Sequence, residues 1–170
     1  MLCAAMPRTL LIVWYSRTGG SRQLAEAARD GAKDAADDLA IRLVAAEDAQ
    51  AHDLLEADGY IFACPENLAA IAGVMKAFFD RTYYDVLGRI EGRPYAALIC
   101  AGSDGTNARA QLERIATGWR LKRVADTLIV NVDAQTKEDI LAPKTIGEER
   151  LSSAREMGGT LAAGIEMGVF

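Results

Sequence analysis

Histidine occurs once in these 170 residues, cysteine three times and proline four times, and aromatic residues make up only 6%. Each shortage excludes something. His52 stands alone in a polar stretch, "AQAHDLL", and Cys3, Cys64 and Cys100 lie far apart, so no ligand set for zinc is present. The cysteine count is odd and C-x-x-C spacing is missing, which excludes a thiol redox motif and a disulfide framework. Cys64 and Cys100 each end an apolar run and read as small buried hydrophobes, as expected in a reducing, cytoplasmic setting. Positive charge is also short: 19 basic residues face 24 acidic ones, for a net charge of −5. That balance excludes the basic footprint of nucleic-acid binding and gives no attraction to an anionic membrane surface. No stretch approaches the roughly 18 apolar residues that a membrane span needs. The opening "MLCAAMPRTLLIVWYS" has no basic start and no separate cleavage region. Its second half reads as a strand rather than a signal peptide, and Met6 is an alternative start.

What remains is ordinary for a globular chain: 51% hydrophobic and 25% charged residues. The length suits a single domain over residues 1–170 that buries roughly 70% of its unfolded surface. Five short apolar runs punctuate it: "TLLIVWY" (Thr9–Tyr15), "LAIRLVAA" (Leu39–Ala46), "DGYIFAC" (Asp58–Cys64), "PYAALICA" (Pro94–Ala101) and "DTLIVNV" (Asp126–Val132). The first, third and fourth are nearly continuous, as strands buried on both faces are. The second keeps Arg42 in its middle, which suits an edge strand. Helical spacing fills the gaps: Ser21 to about Asp37, Ile71–Tyr84, Thr106–Thr117 and Gly147–Met167. The first of these is rich in alanine, with Leu24, Ala27, Ala28 and Gly31 on one face, and the last carries alanines and glycines suited to close packing on the sheet. The polar segment Asp133–Gly147 reads as a surface connection. Repeated strand–helix alternation predicts right-handed βαβ units, hence an α/β fold of three layers with helices on both faces of a parallel sheet.

In such a sheet, ligands bind beyond the carboxyl ends of the strands, where the strand order reverses. Three loops leave those ends. The first, Ser16-Arg17-Thr18-Gly19-Gly20-Ser21, combines hydroxyls, an arginine and two glycines before a helix start. Free amides and a partial positive charge at that start suit an anion, and the glycines permit close backbone approach. Neither a lysine in the manner of a nucleotide-hydrolysing P-loop nor a G-x-G-x-x-G pattern is present. Taken alone, the loop also reads as a strand-to-helix turn in which glycine and serine serve geometry only. The second loop, Pro65–Ala70 ("PENLAA"), and the third, Ala101–Asn107 ("AGSDGTN"), are turn-like by composition and gain meaning only from their position beside the first.

These residues carry a resemblance. Ser16-x-Thr18-Gly19-x-Ser21 is similar to the phosphate loop of flavodoxins, and "ACPENLAAIAGVMKAFFDR" (Ala63–Arg81) resembles a segment of the NAD(P)H:quinone oxidoreductases and NADPH-dependent FMN reductases, most closely in "AGVMKAFFD". The resemblance covers about Thr9 to Ala163. It implies a flavodoxin-like fold, five parallel strands ordered 2-1-3-4-5, and FMN held without a covalent bond. Ser16, Arg17, Thr18, Gly19, Gly20 and Ser21 would then hold the phosphate. Pro65, Glu66, Asn67 and Leu68 would border one edge of the ring, and Ala101, Gly102, Ser103 and Asp104 the other. It further implies NADH or NADPH as co-substrate and a quinone or similar small molecule as electron acceptor, with a homodimer or homotetramer as the assembly. Asn67-Leu68-Ala69 stands where the oxidoreductases carry Arg-Phe-Gly, and neither ring-flanking loop holds an aromatic residue. Weaker FMN affinity, or a pocket completed by a neighbouring subunit, is the expected consequence.

The remaining candidates read blandly. His52 reads as a solvated loop residue, Trp14 as core and Trp119 as the cover of a loop, with Arg120, Lys122 and Arg123 solvated. Tyr83 and Tyr84 read as packing at a helix end, with a subunit interface or a neighbouring subunit's ligand as the alternative. No side chain is expected to act as acid, base or nucleophile. Alternatives to the oxidoreductase are an electron carrier of the flavodoxin type and a flavodoxin-like domain that has lost flavin.

Overall fold

The structure, a computed structural model, describes residues 7–170, so Cys3 and Met6 lie outside the described part. Its central strands are the continuous apolar runs: β1 (Thr9–Trp14), β3 (Gly59–Asn67) and β5 (Pro94–Ala101). Every residue of β5 is buried, as are the first six of β3. Strand β2 (Ala40–Ala45) lines the edge of the sheet with all six residues partly exposed. Its Arg42 reaches out to the buried carboxylate of Asp53. Burial by itself would raise the Asp53 carboxyl, but the Gln50 amide and the Arg42 guanidinium outweigh it and hold the group below its ordinary value.

The strands lie in the order β2-β1-β3-β5, all parallel, and the position after β5 is shared by two short pieces, β6 (Lys122–Arg123) and β7 (Leu128–Asn131). This is the expected 2-1-3-4-5 order with its last strand interrupted. Between the two pieces, Glu113 accepts from Arg123 and from the Thr127 hydroxyl, both at 2.8 Å. No helix among the described residues is long and apolar enough to cross a membrane.

Helices cover both faces. Alternation along the strands sends Leu11, Val13, Tyr60, Phe62 and Ile99 to the side of α2 (Ala51–Glu56), α3 (Gly73–Val86) and α4 (Thr106–Gly118). It sends Leu10, Ile12, Ile61, Leu98 and Cys100 to the side of α1 (Gly20–Ala35) and α6 (Glu148–Met167). The first side is aromatic: Phe62, Phe78, Phe79 and Trp119 form a continuous set of ring contacts. The second side buries aliphatic residues and alanines with no aromatic ring among them, and its helices touch backbone to backbone. A Cβ on Gly158 of α6 would come within 1.9 Å of the Ala28 carbonyl oxygen of α1, and one on Gly31 within 2.0 Å of the Arg155 carbonyl oxygen.

Several expectations need correction. Trp119 is fully buried in the aromatic core rather than laid over a loop, because Phe79 and Tyr83 close on its two sides. Trp14 is only half-buried, since β1 ends there at the rim, and the Arg22 guanidinium lies over its ring at 5.7 Å. His52 sits in α2, not in a loop, although its side chain is solvated as expected. The Asp133–Gly147 segment contains a helical turn, α5 (Lys137–Leu141). Both α2 and α5 are too short for periodicity to show. Each instead begins on a capping box, Gln50 with Asp53 and Thr136 with Asp139.

Candidate functional site

The three loops singled out in the sequence leave the same end of three adjacent strands. Trp14 stands beside Ala63 in the register of β1 and β3, and Pro65 beside Cys100 in that of β3 and β5. The Tyr15 amide donates to Ala63 O at 2.9 Å, so the first loop starts level with the second. Gly20 presses on β5 from above: a Cβ there would come within 2.6 Å of Cys100 Sγ. Only glycine permits that approach.

In the first loop, Gly19 adopts a left-handed conformation (φ 95°) as the N-cap of α1, a backbone state open to glycine at little cost. Its amide donates to Ser16 Oγ at 3.0 Å, which leaves the Ser16 hydroxyl hydrogen free to turn outward. Ser16 and Thr18 are half-buried and Arg17 is exposed. The first-turn amides of Gly20, Ser21 and Arg22 have no partner within the helix, and no side chain caps them. Ser21 is 1% exposed and its Oγ has no hydrogen-bond partner. A buried hydroxyl without a partner is rare.

The start of α4 supplies a comparison within the same molecule. It too begins on a left-handed glycine, Gly105 (φ 90°), without an acidic residue in its first turn. Here carboxylates arrive from elsewhere. Glu66 of β3 accepts from the Gly105 amide at 3.0 Å and the Ala108 amide at 3.4 Å, and Asp104 accepts from the Thr106 amide at 3.3 Å. The Thr106 hydroxyl and amide hold the exposed Asp104 carboxyl below its ordinary value. Two helices thus start alike at the same end of the sheet, on opposite faces, and one is neutralised by the protein's own anions while the other offers a bare set of donors. The donor set at α1 fits a phosphate: amides, hydroxyls and an orphaned buried oxygen, with an arginine beside them.

Loops two and three form a braced pair. Strand β3 runs on to Asn67 and turns back into β4 (Ala70–Ile71), a two-residue hairpin where the sequence suggested a plain turn. Leu68 and Ala69 at its tip are left-handed (φ 51° and 59°), and Leu68 is fully exposed. Helix α4 holds the hairpin in place: Asn107 Nδ2 donates to Ala69 O, and Gln111 Oε1 accepts from the Ile71 amide at 2.8 Å. On the far side, Asn131 Nδ2 donates to Ser103 O, and the Ala134 amide donates to Gly102 O at 2.9 Å. The structure therefore brings all fourteen predicted residues to one rim, but gives Glu66 and Asp104 prior partners at the α4 terminus.

Sequence reasoning missed the bracing residues Gln23, Asn107, Gln111, Asn131 and the segment around Lys144. The Lys144 amide donates to Thr18 O at 2.7 Å, so the supposed surface connection closes the back of the first loop. These residues carry no motif, and only the tertiary fold joins them.

Comparison with known proteins bears on the family and the fold. The family model described as NADPH-dependent FMN reductase matches residues 45–135. A flavodoxin of Aquifex aeolicus (strain VF5) is 31% identical over 96 residues, which are 56% of this chain and 51% of that protein, so the chain spans about half the length of the curated relative it matches. Among solved structures, a flavodoxin from the domain Archaea superposes with a TM-score of 0.76 at 16% identity, covering 93% of this chain and 99% of its own. A flavodoxin, WrbA-like protein from Agrobacterium tumefaciens gives 0.70 at 16% identity, over 94% and 98% of the two chains. At such identities these structures bear on the fold, which is flavodoxin-like. On the match over residues 45–135, more than half of its length, the chain belongs to the NADPH-dependent FMN reductase family.

Proposed function

We propose that this chain binds FMN across the three loops and moves electrons from NADH or NADPH to a quinone or a similar small acceptor. When bound, FMN supplies the hydride and electron chemistry, while the protein binds, orients and tunes it. Ser16, Thr18, Gly19, Gly20 and Ser21 hold the phosphate, with Arg17 adding charge at the mouth. Pro65, Asn67 and Leu68 border one edge of the ring, and Ala101, Gly102 and Ser103 the other. Glu66 and Asp104 act at one remove, by fixing the α4 start on which both ring-flanking loops rest. No side chain is needed as a catalytic acid or base. The observation that carries this reading is the buried, partnerless Ser21 hydroxyl at a bare helix start, while the similar start of α4 on the other face of the sheet is neutralised by Glu66 and Asp104.

The test is NADH and NADPH oxidation with FMN and a benzoquinone, compared with free FMN at the same concentration. Turnover well above free FMN is expected. FMN retention without such turnover would favour a second reading, an electron carrier, which the 31% identity to a protein named flavodoxin supports. Failure to retain FMN would remove both.

A further inference from the structure

Gln23 lies one turn into α1, half-buried, with every polar atom of its side chain engaged. Its Nε2 donates to Gly19 O at 2.9 Å and to Lys144 O at 2.7 Å. Its Oε1 accepts from the Ile146 amide at 3.0 Å. The side-chain amide has two hydrogens, and both are used, so Gln23 has none to offer a ligand.

Its effect falls instead on the peptide between Gly19 and Gly20. A peptide unit is planar, with its carbonyl and amide pointing in opposite directions. Fixing the Gly19 oxygen therefore fixes the direction of the Gly20 N–H. That oxygen is held twice, by the Gln23 side chain and by the Gln23 backbone amide at 3.1 Å. Two adjacent glycines make this the most easily rotated peptide of the loop. Lys144 acts in parallel one residue earlier, since its amide holds Thr18 O at 2.7 Å and so orients the Gly19 N–H that meets Ser16. The loop carbonyls are thus tied back to residues 144–146, and the amides are left facing the opposite way.

We propose that Gln23 is the positioning residue of the anion loop, preorganising the Gly20 amide toward a phosphate by stapling the Gly19 carbonyl to the 144–146 segment. This rests on the reading of the loop as the FMN phosphate site. A staple of this kind acts on the phosphate end alone, so riboflavin, which shares the ring and lacks the phosphate, separates it from general damage to the fold.

The experiment measures Kd for FMN and for riboflavin on the wild-type protein and on Gln23→Met, which keeps the length and loses the hydrogen bonds. Wild type should prefer FMN. Gln23→Met should lose about tenfold in FMN affinity, the worth of one or two net hydrogen bonds. Its riboflavin affinity should change less than about twofold, and the ³¹P resonance of bound FMN should move. An unchanged FMN-to-riboflavin ratio in Gln23→Met, with wild type discriminating, would overturn the role of Gln23 and leave the site intact. A wild type without preference for FMN would remove the phosphate site and this proposal together. If Gln23→Met does not fold, Gln23→Asn keeps a neutral side-chain amide one methylene too short to hold Gly19 O and the 144–146 segment together, and the same ratio decides.

Discussion

Ser21 leaves a polar oxygen 1% exposed and without a partner, a state that costs about 1–3 kcal/mol in a folded protein. The sign of one substitution follows. Ser21→Ala removes the unsatisfied group, so the protein without FMN should gain about 1 kcal/mol in urea unfolding. The same change should weaken FMN binding by about 1–2 kcal/mol, because the hydroxyl is then missing from the phosphate contacts. A destabilised protein in the absence of FMN would show that the hydroxyl serves the fold itself and would withdraw it from the site. At this scale the sequence was readable where chemistry repeats a pattern: the hydroxyls and glycines of Ser16–Ser21 mark the loop whose following helix start keeps free amides and an unpartnered buried hydroxyl. Gln23 could not be read so. A glutamine one turn into an amphipathic helix is common on solvated faces, and its partners Lys144 and Ile146 lie more than 120 residues away.

The pairing of α1 with α6 depends on what its glycines lack. With ideal Cβ positions 1.9 Å from Ala28 O at Gly158 and 2.0 Å from Arg155 O at Gly31, no rotamer relieves the clash, since the obstacle is backbone. Gly158→Ala must push the helices apart and uncover Leu24, Ala28, Leu161 and Ile165 behind them. A loss of about 3 kcal/mol is expected, at the upper end of the usual cost of overpacking. Gly73 is the control, because nothing lies within 4 Å of its Cβ position in the first turn of α3. Gly73→Ala should gain about 0.5 kcal/mol from helix propensity alone. Equal effects at the two sites in thermal or urea unfolding would contradict the backbone-contact geometry. The alanine and glycine content of α6 had indicated close packing on the sheet, but not that α1 would be the helix it touches backbone to backbone. The hairpin after β3 was not legible: two-residue turns of this kind favour Asn-Gly, and Leu68-Ala69 gives no such signal. Its conformation is imposed from outside, by Asn107 and Gln111 on α4.

For the whole molecule, the apolar runs and their alternation with helices pointed to a three-layer parallel sheet with right-handed crossovers, and the resemblance to flavodoxins pointed to its strand order. The runs did not reveal that its two faces differ in kind. One is packed with aromatic rings, and the other buries aliphatic residues and alanines, with the Gly19–Gly20 loop resting on it. The two buried cysteines sample these faces separately: Cys64 lies in the aromatic core and Cys100 under Gly20 on the opposite side. Burial pushes the Cys64 thiol up to about 12 and the Cys100 thiol up to about 11, so neither is a thiolate at neutral pH while the fold is closed. A thiol reagent must then wait for an opening. Cys64 is reached only when the aromatic core parts, which is close to global unfolding. Cys100 is covered by a glycine loop and is itself 6% exposed, so lifting that loop suffices. In a Cys3→Ser background, Cys100 should be modified faster than Cys64 as mapped by mass spectrometry. Saturating FMN should slow both through added stability, about 2.7 kcal/mol at 100 times Kd. It should slow Cys100 more, because the phosphate pins the very loop that must lift. Equal rates with equal protection would mean that the loop opens only when the whole domain does, and would remove the picture of a mobile anion loop on a rigid sheet.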